Sequence, residues 1–250
     1  MNEYLKNLDR IEFTVTMACT GKCKHCQNGD RVNNSEHIDA EIAADAVRRI
    51  CEHFPIKSLM TFGGEPLLYP DTVCTIHKTG TEMGISKRQV ITNGYFSKKR
   101  ERIEEVAGNL AESGVNDLLL SADAVHQEII PLEPVKYFAE CARKSGIPIW
   151  LSPAWLVSRE DQNPYNIRTR EILREFEPLQ IPVCKGNVIF PSGNALKYLR
   201  EYFDENVEES SPYYEDPGDV RSISFEVNGD VLNGNVYQTD ILEIIRTYQP

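Results

Sequence analysis

Three cysteines crowd into eight residues, Cys19-Thr20-Gly21-Lys22-Cys23-Lys24-His25-Cys26. Thiolates at C-x₃-C-x₂-C spacing on one loop have the reach to converge on one face of a soft metal centre, and thiolates favour iron–sulfur clusters or zinc. A structural zinc takes a fourth ligand at motif spacing. No C-x₂-C pair follows downstream, and His25, inside the motif, is expected to point away from the set. Three ligands suggest a cubane with one iron left open to an outside ligand. The plainer alternative, three cysteines without metal, is disfavoured by their clustering. Cys51, Cys74, Cys141 and Cys184 are scattered and read as small buried hydrophobes. An odd count of seven in a chain of 250 residues gives no disulfide framework.

Chemistry on a loop needs elements that hold it. Short β-rich runs alternate with helical stretches, the mark of a parallel sheet covered by helices. Strands are expected at Arg10–Thr16, Ser58–Phe62, Gln89–Thr92, Asp117–Ser121, Ile147–Ser152 and Ile181–Phe190. Helices are expected from about Asp39 to His53, from Pro70, around Ile103–Ala111, over Leu132–Lys144 and near Arg168–Phe176. The last 60 residues or so hold an acidic segment, a hairpin from Arg221 to Tyr237 turning at Asn228-Gly229, and a short helix over Asp240–Tyr248. The fold class is therefore α/β, a partial TIM-like (β/α)₆ barrel with a short C-terminal hairpin-helix cap. Residues 1–195 form the barrel, and 196–250 the acidic segment and cap. Trp150 is expected in the core; Trp155 reads equally as core or as pocket wall at the barrel rim. His37, His53 and His77 read as surface or packing residues.

The charge balance narrows the partners. Net charge is −11, and eight acids between Glu201 and Asp219, with no Lys or Arg among them, leave the rest of the chain at only −3. Such a block is a solvated loop first and a docking surface for a basic partner second. An acidic chain without a basic patch argues against nucleic acid as substrate. No apolar run approaches the length of a membrane span, and the amino terminus lacks a secretory signal, so a cytoplasmic protein is expected.

Two further motifs follow the cysteines. Gly63-Gly64-Glu65-Pro66 ends the second strand and Thr92-Asn93-Gly94 ends the third. In that order the three motifs resemble the radical S-adenosylmethionine (radical SAM) superfamily, over roughly residues 10 to 190. The resemblance implies one [4Fe–4S] cluster on Cys19, Cys23 and Cys26, with S-adenosylmethionine on the open iron. It implies reductive cleavage to methionine and a 5′-deoxyadenosyl radical, which takes a hydrogen atom from the substrate. Gly63 and Gly64 let backbone approach a ligand closely. Glu65 offers a carboxylate to the methionine ammonium. Thr92, Asn93 and Ser121 sit at the C-terminal rim, where barrel enzymes gather ligand groups, and Ser152 at the end of strand five joins them. Members of the superfamily often place a basic residue a turn beyond the position of Ser121. Ala122–Glu128 holds no Arg, so Lys136 or nothing fills that role.

Asp123 and His126, just past the fourth strand, are the candidate catalytic pair, to bind substrate or move a proton; Glu128 reads equally as the start of the next helix. Phe190–Ala195 and Gly229–Val236 resemble the rim loop and hairpin of SPASM and twitch-type members, although an Arg is more usual at Asn194. The auxiliary-cluster cysteines are missing, so the tail reads as a cap without metal. The implied partners are a peptide or small-molecule substrate and a reductant such as flavodoxin or ferredoxin. With about ten residues before the first strand, a leader peptide is expected to need a separate binding protein. Two rivals are carried: a glycyl-radical-enzyme activase, and a non-catalytic Fe–S electron carrier, which has no use for methionine-binding groups.

Overall fold

The computed structural model describes residues 2–29, 35–213 and 215–250. In chain order the elements are β1 (Arg10–Thr16), α1 (Ala40–Cys51), β2 (Ser58–Gly63), α2 (Pro70–Glu82), β3 (Lys87–Thr92), α3 (Arg100–Glu112), β4 (Asp117–Ser121), α4 (Ala124–Gln127), α5 (Leu132–Lys144), β5 (Ile149–Ser152), β6 (Ala154–Trp155), α6 (Pro164–Arg174), β7 (Asn187–Val188), α7 (Asn194–Tyr198), β8 (Ser222–Phe225), β9 (Asp230–Val231), β10 (Gly234–Asn235) and α8 (Ile241–Thr247). Six strands form one parallel sheet in the order β5-β4-β3-β2-β1-β8, the partial TIM-like barrel with its helices. No helix among the described residues is long and apolar enough to cross a membrane.

Alternation along each strand divides the sheet into two faces. Ile11, Phe13 and Val15 of β1, Leu59 of β2, Val90 of β3, Leu118 and Leu120 of β4, and Ile149 and Leu151 of β5 are buried on one face, in two apolar cores with the helices. The alternate residues Glu12, Met60, Gln89, Leu119 and Ser152 line a cavity on the other. Trp150, expected in the core, is in register with Leu119 and stands on this second face, 40% exposed. A core site was closed to it by the buried Ile149 and Leu151 on either side.

The sixth strand is not the expected one. Ile181–Phe190 gives only a parallel bridge, Leu151 to Val183, and the two-residue pairing of β7 with β6. Pro182 and Pro191 have no N–H to donate, and Gly186 sits at φ +70, so a long ladder cannot form there. The sixth strand of the sheet is β8, added at the opposite edge and parallel to β1, with Arg10 opposite Ser222 and Phe13 opposite Phe225. The Phe13 and Phe225 rings stack at 4.6 Å. The antiparallel ladder of the tail lies further on, between β9 and β10. Helix α8 carries Ile241, Ile244 and Ile245 into the core shared with α1, and Arg49 reaches its capping Asp240 at 2.8 Å.

Candidate active site

The loop after β1 is joined to the loop after β2 by backbone. Gly64 N–H donates to Thr16 O at 2.7 Å and Glu65 N–H to Ala18 O at 2.8 Å. Gly63 has φ +131, and a Cβ there would stand 2.5 Å from Thr16 O. Only glycine lets the two strand ends approach so closely. The cysteine loop is thereby fixed at the C-terminal end of the sheet, over a cavity of about 1100 Å³.

Cys19, Cys23 and Cys26 all line that cavity, as do Gly63, Gly64, Thr92, Asn93, Ser121, Ser152 and His126. A Cβ on Gly21 would lie 3.2 Å from Cys23 Sγ and 3.7 Å from Cys19 Sγ, so both sulfurs face the same small space. Among the described residues no three His, Cys, Asp or Glu gather around a single metal ion. A cubane does not need them to, since each thiolate takes a different iron; the donor set fits a cluster better than zinc. Asn93 Nδ2 approaches Cys19 Sγ at 3.6 Å and donates to Thr20 Oγ1 at 3.2 Å. Ser121 and Ser152 are opposite each other across β4 and β5. The remaining cysteines stay apart: burial raises the Cys51 thiol to about 11 and also raises Cys74 and Cys141. Cys184 N–H is bonded to Leu151 O at 2.9 Å, beside the edge strand.

Glu65 is engaged within the protein. Its side chain is wholly buried and is not part of the cavity lining. Oε1 accepts from Leu67 N–H at 3.0 Å and Thr92 Oγ1–H at 2.6 Å, and Oε2 accepts from Asn93 N–H at 2.8 Å. The carboxylate thus ties the loop after β2 to the rim of β3. Lys136 lies on α5, with Glu175 at 3.3 Å and Glu133 at 3.7 Å.

Asp123 and His126 come together. Asp123 caps α4 through Oδ1, which accepts from His126 N–H at 3.0 Å, while Oδ2 lies 2.7 Å from His126 Nδ1 and accepts from Ala154 N–H at 3.0 Å. Burial alone would raise the Asp123 carboxyl, but the His126 charge and hydrogen bonds override it and hold the group at about 2. For His126 burial works against the charged ring, and the Asp123 carboxylate outweighs it, so its pKa is raised. Asp123 is fully buried and His126 alone of the two lines the cavity. Glu128 pairs with Lys24 of the cysteine loop at 3.0 Å.

Sequence reasoning missed His25. It lines the cavity and meets the His126 ring edge-on, centroids 4.7 Å apart. Burial, then the nearby His126, lowers it to about 4. The signal was its place between two candidate ligands, since a residue flanked by Cys23 and Cys26 stays within a few ångströms of them. Also missed was the acidic segment: Ser211, Pro212, Tyr213 and Glu215 line the cavity. Trp155 is core, 3% exposed, with its indole N–H on Lys185 O at 3.1 Å.

Comparison with known proteins gives a family and a fold. The family model described as the Radical SAM superfamily matches residues 13–154. The GTP 3′,8-cyclase of Desulforamulus reducens is 23% identical over 130 residues, 51% of this chain and 38% of that protein. The probable GTP 3′,8-cyclase of Methanocaldococcus jannaschii is 24% identical over 158 residues, 61% of this chain and 50% of that one. The chain therefore spans half or less of the length of these relatives. In fold it is similar to native anSMEcpe with bound AdoMet (TM-score 0.60, 15% identity, 96% of this chain and 80% of that one). It is also similar to BtrN in complex with AdoMet and 2-DOIA (TM-score 0.52, 16% identity, 96% and 82%).

Proposed function

This chain belongs to the radical SAM superfamily, and from that premise we propose that it abstracts a hydrogen atom from a peptide or small-metabolite substrate held against the inner face of the sheet. The superfamily's enzymes use a [4Fe–4S] cluster and S-adenosylmethionine. One observation carries the reading: the three cysteines share a single cavity with the glycines after β2 and the rim residues of β3, β4 and β5. When bound, the cluster and S-adenosylmethionine supply reductive cleavage of the sulfonium and a hydrogen-abstracting 5′-deoxyadenosyl group. Cys19, Cys23 and Cys26 hold the cluster. Gly63 and Gly64 give close backbone approach, and Thr92, Asn93, Ser121 and Ser152 offer polar groups to the cofactor. Glu65 acts at one remove, fixing Thr92 and Asn93. His126, held by Asp123 through Nδ1, holds or moves a proton at the cavity wall; Asp123 positions it.

The wall beyond the cofactor narrows the substrate. The part built from β1, β8 and the acidic segment carries Glu12, Glu215 and Glu226 against Arg10, which is itself paired with Glu12. A triphosphate would face like charge there, so we separate this chain in substrate from the cyclases it resembles. The reductant, a flavodoxin or ferredoxin, comes from outside the chain. Anaerobic incubation of reconstituted protein with S-adenosylmethionine and dithionite tests the reading. 5′-Deoxyadenosine should form, and Cys19→Ala, Cys23→Ala or Cys26→Ala should abolish it. A wild-type protein carrying about four irons that releases none would refute the proposal.

A further inference from the structure

The cysteine loop is gripped from a second side, by a residue 171 positions beyond Cys23. Within itself the loop makes turn bonds, Cys26 N–H to Cys23 O at 3.1 Å and Gly29 N–H to Cys26 O at 3.1 Å. Turn bonds alone leave a loop soft, whereas three metal ligands need places fixed to within about 0.5 Å. A further constraint comes from the loop before α7. Asn194 N–H donates to Cys26 O at 2.9 Å, and Asn194 Nδ2 donates to Cys23 O at 3.3 Å. One residue, 5% exposed, thus holds the carbonyls of two candidate ligands. Gly193 makes the approach possible: at φ +50, a Cβ there would meet Gln27 O at 2.4 Å and Cys26 O at 2.6 Å. The clasp is braced in turn by Ser210 N–H on Pro191 O at 3.1 Å and by the Phe190 and Tyr213 rings, 5.7 Å apart.

We propose that Asn194 is a positioning residue for the cluster, setting the loop geometry of Cys23 and Cys26 through its side-chain amide. The inference rests on the reading that these cysteines hold the cluster. A packing role would need only the shape of Asn194; a positioning role needs its N–H donor. Asn194→Asp separates the two, because it keeps the shape and replaces the donor by an acceptor oxygen facing the Cys23 carbonyl.

The experiment compares anaerobically reconstituted wild type, Asn194→Ala and Asn194→Asp. It reads iron per chain, iron loss to a chelator, the electron paramagnetic resonance spectrum of the dithionite-reduced cluster, and the urea midpoint of the apo proteins. Both variants should fold and take up iron. Both should then lose it roughly threefold to tenfold faster, the worth of one neutral hydrogen bond, and show an altered spectrum, with Asp no better than Ala. Wild-type release and spectrum in Asn194→Asp would overturn the inference, as would variants that change only the apo urea midpoint. Cys23→Ala is the control for the underlying reading. If it retains full iron, or if wild type takes up none, the cluster assignment fails, and that result is distinct from failure of the clasp.

Discussion

Glu65 offers the sharpest test of how the site is built. Its carboxylate is wholly buried and accepts from Leu67 N–H, Thr92 Oγ1–H and Asn93 N–H. Glu65→Gln keeps the volume and one acceptor oxygen. In the better amide orientation that oxygen stays with Leu67 and Thr92, and the new NH₂ group is set against the Asn93 N–H, donor against donor. A hydrogen bond to a charged group contributes about 1.5–3 kcal/mol, and a buried unsatisfied donor costs about 1–3 kcal/mol, part of the same loss. The variant should therefore be destabilised by about 2–4 kcal/mol, a large share of a total of about 5–15 kcal/mol. The urea midpoint of the apo protein should fall by roughly 1 M. Glu65→Ala, which strands all three donors, should be worse still. S-adenosylmethionine affinity, measured by calorimetry on folded holo-protein, should weaken as a consequence of a displaced Asn93. The reasoning fails if the apo Gln variant melts within about 0.5 kcal/mol of wild type while affinity drops tenfold, for then the carboxylate serves the ligand and not the rim.

Three other outcomes follow from the same geometry. Gly63→Ala meets Thr16 O at 2.5 Å, whereas Gly84→Ala has a positive φ but no neighbour within 4 Å. Urea melts should therefore show the first costing at least about 2 kcal/mol more than the second. His77 is buried and bonded to Thr61 at 2.9 Å, and burial, then Arg88, lowers it to about 3. Below pH 6.5 the unfolded chain takes up a proton that the fold refuses, so apo stability should drop by about 1.4 kcal/mol per pH unit for this residue. Asp123, held at about 2, titrates below pH 4.5, and His25, lowered to about 4, adds a slope of the same sign, so the slope should shrink but not vanish in His77→Gln. An unchanged slope would place the effect elsewhere. Asp123→Asn and His126→Ala should keep the cluster and substrate-free cleavage of S-adenosylmethionine but lose product formation; normal turnover of the true substrate by both would make the pair scaffold.

What the sequence displayed was local. The alternation of Ile11, Phe13 and Val15 is enough by itself to mark a strand, and the spacing of Ile103, Val106, Ala107 and Leu110 marks a helix face. Cysteine spacing brought out the loop because the ligands are neighbours in the chain. The partners of Glu65 were hidden because Asn93 lies 28 residues further on, and a motif that reads as a ligand group reads equally as an internal clamp. Which of the two alternatives at Lys136 holds was hidden for a related reason: position along a helix does not say which face it takes, and α5 pairs it with Glu175. The pairing of β1 with β8 joins residues more than 200 positions apart, and no periodicity carries that information.

The acidic segment shows why charge alone misleads about place. Eight acids without a base read as a solvated loop, and many of them are exposed. Yet Pro212, Tyr213 and Glu215 border the cavity, and Ser210 bonds the loop that carries Gly193 and Asn194. One stretch therefore touches both the proposed substrate space and the clasp on the cysteines. The burden falls on few contacts, a ring pair and single hydrogen bonds, each contributing about 1 kcal/mol. The acidic segment therefore packs on the loop before α7 where it also borders the cavity, a placement that no reading of net charge would suggest.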